Sequence, residues 1–104
     1  MRAGSSLAPG DLLVSDSKLW FLQLQGDGDL VLRSSSGTVA WSSHTSGAGV
    51  RVDMLWNGNL VVVDKADRII FQTSTSAHEA AYSILHDTGV LAVYWRGELL
   101  WVSS

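Results

Sequence analysis

The densest polar chemistry in the chain lies within nine residues, Gln25-Gly26-Asp27-Gly28-Asp29-Leu30-Val31-Leu32-Arg33. A carboxamide, two carboxylates and a guanidinium there surround a glycine-rich turn. Two carboxylates can serve glycoside hydrolysis when they flank a bond in a cleft. A small hairpin offers no deep pocket, so Asp27 and Asp29 read as hydroxyl ligands or solvated acids. No nucleophile is paired with a base, and the serines cluster in turns, so no catalysis is expected. His44, His78 and His86 do not share metal-ligand spacing, and His78-Glu79 reads as an ordinary surface pair, so neither a metal nor a cofactor is expected.

The elements that position these groups follow from alternation. Leu22, Leu24, Leu30 and Leu32 alternate with Gln23, Gln25, Asp29, Val31 and Arg33 about the Gly26-Asp27-Gly28 turn, the pattern of a β-hairpin with one buried face. The hairpin recurs. Leu24 to Leu32 aligns without gaps on Met54 to Val62, 30 residues later, and then on Ile84 to Ala92. Beyond each turn an apolar pair ending in an aromatic repeats at the same period: Ala40-Trp41, Ile70-Phe71 and Leu100-Trp101. A second turn follows each hairpin at Ser34 to Gly37, Asp64 to Asp67 and Trp95 to Glu98, and Thr38 to Ser42 with its equivalents supplies a further strand. A small sheet of this kind cannot hide its apolar face alone, so three copies should pack those faces around one axis, with Trp41, Phe71 and Trp101 upon it.

Composition bounds the remaining classes. The chain has 104 residues, one domain's worth, read as a single unit 1–104 with repeats at approximately 15–44, 45–74 and 75–104. Its net charge of -3 and its scattered Lys and Arg give no footprint for nucleic acid. Apolar runs such as Leu60 to Val63 are far shorter than the roughly 18 to 20 residues that cross a bilayer, so membrane insertion is not expected. Met1 to Gly10 has no apolar stretch of the signal-peptide type, and with no cysteine the compartment stays open, secreted or cytoplasmic. Ten glycines against one proline suit a fold of many tight turns.

The string Gln25 to Arg33 resembles the signature Gln-x-Asp-x-Asn-x-Val-x-Tyr of the bulb-type mannose-binding lectins. Ala3 to Gly10 and Val39-Ala40-Trp41-Ser42-Ser43 are also similar to that family, and the resemblance covers nearly the whole chain. It implies an all-β, type II β-prism of three antiparallel sheets about a pseudo-threefold axis, with one potential sugar site per sheet and pairing of chains by exchange of C-terminal strands. Gln, Asp and Asn converge on one face of such a hairpin and bridge adjacent hydroxyls. Val covers the sugar's C–H surface, and the Tyr hydroxyl closes the far side.

Carried over by position, the first site keeps Gln25, Asp27 and Val31, with Asp29 in place of Asn and Arg33 in place of Tyr. Arg33 either donates to a hydroxyl or neutralises the two acids. The second site keeps Asn59 and Val61, with Asn57 at the Asp position, and the third keeps only Asp87, Tyr94 being one residue out of register. The expectation is a mannose-type carbohydrate-binding lectin with one partly intact site (Gln25, Asp27, Asp29, Val31, Arg33) and two degenerate ones (Asn57, Asn59, Val61; Asp87), acting on mannose-like glycans as a homodimer. Leu55, Val61 and Val63, or Leu85, Leu91 and Val93, would leave exposed aliphatic faces. They motivate the alternative, a lectin-fold assembly module that has lost sugar binding.

Overall fold

The computed structural model describes residues 1–104 as eleven strands without a helix. The strands are β1 (Ser6–Leu7), β2 (Leu12–Val14), β3 (Trp20–Leu24), β4 (Leu30–Ser34), β5 (Val39–Ser42), β6 (Arg51–Met54), β7 (Leu60–Val63), β8 (Ile69–Gln72), β9 (Tyr82–Leu85), β10 (Leu91–Trp95) and β11 (Glu98–Val102). They form three antiparallel sheets: β2-β3-β4-β5, β1-β6-β7-β8 and β9-β10-β11. The all-β prism expected from the repeat is thus the observed architecture. The short strands β1 and β2 were not read from the repeat. Each is an outer strand, β1 closing the second sheet through Ser6 opposite Asp53 and β2 the first through Leu13 opposite Leu22.

Alternation decides which side chains fill the centre. Leu22, Leu24, Leu30 and Leu32 from the first sheet, Val52, Met54, Leu60 and Val62 from the second, and Leu85, Leu91 and Val93 from the third form one core. Trp41, Phe71 and Trp101 meet edge to face, with ring centroids 5.3, 5.7 and 6.2 Å apart. The three aromatics therefore do mark the threefold axis, half-buried at the margin of the aliphatic core. Strand β11 pairs with β10 of its own chain, Ala92 opposite Val102 and Trp95 opposite Glu98.

The same polar ladder ties each third strand to its hairpin. Ser43, Thr73 and Ser103 accept from the backbone N–H of Leu30, Leu60 and Leu91 at 3.1, 3.1 and 3.0 Å. These contacts expose a break in the period. Leu30 and Leu60 are 30 residues apart, but their counterpart in the third sheet is Leu91, not Val90. The third unit carries one extra residue before β9, in the segment 76–81. A shorter turn at Arg96-Gly97, two residues where the other sheets use three, restores the period by Trp101. The gapless alignment of the third copy is therefore corrected by one residue.

Candidate functional site

All three hairpin turns share one backbone. The N–H of Gln25, Leu55 and His86 donates to the carbonyl of Asp29, Asn59 and Val90, and Gly28, Gly58 and Gly89 donate back to Gln25, Leu55 and His86. Those glycines have φ of 93°, 97° and 82°, a region L side chains rarely enter. At Gly28 a Cβ would also lie 2.6 Å from the Gly49 backbone, so glycine is required twice over. The turn presents five positions on the outer face, and the three sheets fill them differently.

On the first face Gln25 bridges its neighbours. With its amide oriented to satisfy both, Nε2 donates to Asp27 Oδ1 at 3.3 Å and Oε1 accepts from Arg33 Nη2 at 2.7 Å. Asp27 Oδ1 also accepts the Asp29 N–H at 3.0 Å, closing the turn. The Arg33 guanidinium bonds to the Gln25 carbonyl and, through Nη1, to the Gly37 carbonyl at 3.4 Å, forms no ion pair with Asp27 or Asp29, and keeps Nε as an unused donor. Val31 is buried beneath these groups. Asp29 behaves differently from expectation. It accepts from Ser42 Oγ at 2.7 Å, Ser43 Oγ at 3.1 Å and the Thr45 N–H at 3.2 Å, so its carboxylate anchors the chain after β5. Burial works to raise its pKa, but the hydrogen bonds from Ser42, Thr45 and Ser43, together with nearby His44, outweigh it and hold the carboxyl below its ordinary value.

On the second face Asn59 repeats that anchoring role. Its Nδ2 donates to Gln72 Oε1 at 2.9 Å and its Oδ1 accepts from Thr73 and the Thr75 N–H, leaving it 4% exposed. Of the expected aliphatic patch only Leu55 stays partly exposed, because Val61 and Val63 are buried. Their cross-strand neighbours Asp53 and Arg51 lie over them, joined at 2.9 Å, with Asp67 and Ser6 extending the ladder. Asn57 stays exposed at the turn, its Oδ1 accepting the Asn59 N–H.

The third face departs most from expectation. With the extra residue counted, its five positions are His86, Thr88, Val90, Ala92 and Tyr94. Leu85, Leu91 and Val93 point into the core, so they form no exposed patch. Asp87 leaves the site and accepts the Ser17 N–H at 2.8 Å, which holds its carboxyl below the usual range. Tyr94, expected on the opposite side, stands on the site face. Its hydroxyl meets His86 Nε2 at 2.8 Å and its ring stacks on Tyr82 at 6.0 Å. Val90 and Val102 replace the polar pairs Asp29–Ser42 and Asn59–Gln72.

No protein-family model matches the chain. Mannose-specific lectin 2 of Colocasia esculenta is 33% identical over 105 residues, which cover 94% of this chain and 39% of that protein. The chain thus spans about two fifths of the length of the curated relatives it matches. The solved structure of Polygonatum cyrtonema lectin, complexed with monomannoside, is 33% identical with a TM-score of 0.79, over 90% of this chain and 86% of that one. The chain belongs to the bulb-type mannose-binding lectins. The Marasmius oreades lectin, 22% identical, shares the fold over all of this chain and 88% of its own with a TM-score of 0.94. These relatives are lectins, proteins named for binding rather than for catalysis.

Within this lectin, the residues missed from the sequence are those displaced by the extra residue, above all His86, Thr88 and Tyr94. The signal that would have found them is glycine spacing. Gly28 and Gly58 lie 30 residues apart and Gly89 lies 31 beyond Gly58, while only glycine suits that turn position. Beside the first hairpin, a groove of about 410 Å³ opens between Gly26-Asp27, the loop Gly47 to Val50, and the turn bearing Asp64, Lys65 and Arg68. It extends the polar surface of the first face sideways. His78 Nδ1 meets the Thr75 carbonyl at 2.9 Å, a local loop contact.

Proposed function

We propose that this lectin domain binds mannose-type glycans, and that it does so through the first hairpin. The observation that carries the reading is the convergence of Gln25, Asp27 and Arg33 on one open face above buried Val31. Asp27 Oδ2, one Gln25 N–H and Arg33 Nε remain free to pair with sugar hydroxyls, a spacing of donors and acceptors that reads hydroxyl geometry. Asp29 contributes by fixing the turn rather than by reaching out. On the second face Asn59 is spent on Gln72, Thr73 and Thr75, and the paired Arg51 and Asp53 cover Val61 and Val63. The alternative of an assembly module loses its motive, since all the aliphatic side chains it relied on except half-buried Leu55 are buried.

Affinity for one sugar ring should be low. A millimolar complex has only about 4 kcal/mol of binding free energy, and each neutral hydrogen bond contributes about 0.5 to 1.5 kcal/mol. Titration of wild type, Gln25→Ala, Asp27→Ala and Asn59→Ala with mannose and oligomannose tests the assignment. Loss in the first two variants with little change in the third is the expected outcome. Equal binding by all four proteins removes the first hairpin from the site.

We further propose a homodimer formed through β11, an edge strand at whose start Leu99 stays exposed. Two first faces held together raise apparent affinity for a branched glycan without any new contact. Sedimentation should show a dimer at high micromolar concentration, and a monomer throughout that range removes the proposal.

A further inference from the structure

The tip of the second hairpin carries a side chain that the hairpin itself does not need. Trp56 occupies the position held by Gly26 in the first turn and, with the extra residue counted, by Asp87 in the third. At 64% exposure it is the most exposed large hydrophobic side chain of the molecule. It is nonetheless held in place. Its carbonyl accepts the Ala80 N–H at 2.8 Å, and the next carbonyl, that of Asn57, accepts the His78 N–H at 3.0 Å. The indole lies so close to Gly4 that a Cβ there would come within 2.9 Å of Nε1.

Two shallow depressions of about 440 Å³ each are lined by the ring. One is walled by Asn57, Ala77 and Glu79, the other by Arg2, Ala3, Ala80 and Tyr82. Ala77 and Ala80 belong to the segment 76–81, where the third unit gains its extra residue, and both hold left-handed φ, 68° and 66°.

The chemistry of this surface matches an amphipathic ring better than an apolar protein face. Its apolar part is the Trp56 indole and the Tyr82 ring with alanines beside them, rimmed by a carboxylate, a carboxamide and a guanidinium. A pyranose has one face of C–H bonds, polarised positive, that suits the negative face of the indole. Its rim of hydroxyls suits Asn57, Glu79 and Arg2. We propose that Trp56 is the stacking platform of a second carbohydrate site that takes a pyranose ring of an oligosaccharide, separate from the first hairpin. The class of ligand rests on the lectin reading above, and the site does not depend on Gln25 or Asp27. Tyr82 borders the platform and stacks on Tyr94, so the aromatic surface continues onto the third face and favours a chain of rings over a single one.

The test is fluorine NMR of protein labelled with 5-fluorotryptophan, whose five resonances include that of Trp56, assigned by its loss in Trp56→Phe. The other four resonances report that this variant still folds. Addition of α-mannopentaose should shift the Trp56 signal saturably, at a concentration at least about threefold below that needed with mannose. The shift should persist in the Gln25→Ala/Asp27→Ala double variant, in which Trp56→Ala should abolish the remaining binding. A Trp56 signal unmoved at saturating mannopentaose, with binding lost in the double variant, overturns this site and leaves the first hairpin standing. A shift with binding indifferent to Gln25 and Asp27 supports it and removes the first-hairpin reading. Absence of binding overturns both, and a shift driven by protein concentration alone makes Trp56 a self-contact and overturns this proposal.

Discussion

In the first hairpin the Gln25 amide links Asp27 on one side to Arg33 on the other. At the same positions of the third, His86 and Tyr94 pair through a ring nitrogen and a hydroxyl, and Thr88 stands apart. Their backbones are alike: the same turn hydrogen bonds, the same left-handed glycine, the same hydroxyl from the third strand capping the Leu30 or Leu91 N–H. What the two regions teach is where the fold resides. It lies in inward side chains, turn glycines and the strand-end ladder, so the outer face can change its chemistry without unfolding the sheet. The price appears inside the third sheet, where Ser83 replaces the core-facing Leu22 and Val52 and its buried hydroxyl has no partner.

The largest break in the comparison should come from the glycines. Gly28→Ala places a methyl 2.6 Å from the Gly49 backbone as well as straining φ, whereas Gly89→Ala meets the Trp20 ring, a side chain that can shift. We expect Gly28→Ala to cost about 3 kcal/mol or more and Gly89→Ala clearly less, as measured by urea denaturation. Equal costs would mean that strain in φ alone governs both turns.

That pair also shows why one part of the molecule was legible in the sequence and another was not. The alternation of Leu22, Leu24, Leu30 and Leu32 and the recurrence of Trp41, Phe71 and Trp101 gave the three-sheet prism, because burial imposes both patterns. The third face was misread since two small changes cancel: a residue gained in 76–81 and one lost at Arg96-Gly97 leave Trp101 in phase while shifting everything between. Strand periodicity turns such a slip into a change of face, which sent Tyr94 to the wrong side. The anchoring of Asp29 was hidden for another reason. Its partners Ser42, Ser43 and Thr45 lie 13 to 16 residues away, at and just beyond the end of the third strand, where nothing in sequence links them to the turn. Trp56 lies outside both patterns, because a single aromatic at a turn carries no periodicity that fixes the way it faces.

A middle-sized effect should separate the anchoring pairs. Asp29→Val alone strands Ser42, Ser43 and the Thr45 N–H, and should cost about 1 to 3 kcal/mol. Adding Ser42→Val reproduces the Val90–Val102 pair of the third sheet and should recover part of that loss, leaving the share due to Ser43 and Thr45. The same carboxylate makes stability depend on acid. Its pKa is lowered by folding, so the folded state binds a proton less readily than the unfolded chain. The contribution is fully present above the ordinary carboxyl value of 3.8 and is lost as pH falls below it through the folded pKa. Thermal melts between pH 5 and 2 should show a shallower decline in Asp29→Asn than in wild type, and an identical decline would assign the acid sensitivity to other carboxylates.

The smallest effect tests the third face. Tyr94→Phe removes only the hydroxyl that meets His86 Nε2, leaving the ring stacked on Tyr82. The contact is partly open to water, so its loss should cost about 0.5 to 1 kcal/mol, a shift of a few degrees in the melting temperature. Mannose is the sharper probe. If the first hairpin carries monosaccharide binding, Tyr94→Phe should leave mannose affinity unchanged while Gln25→Ala removes it. The opposite ordering would mean that the extra residue in 76–81, by turning Tyr94 outward, moved the working site to the third sheet. In that case the Gln25-centred link of the first face would be a structural clasp, with Arg33 there to hold Gln25 and the Gly37 turn rather than to read a sugar.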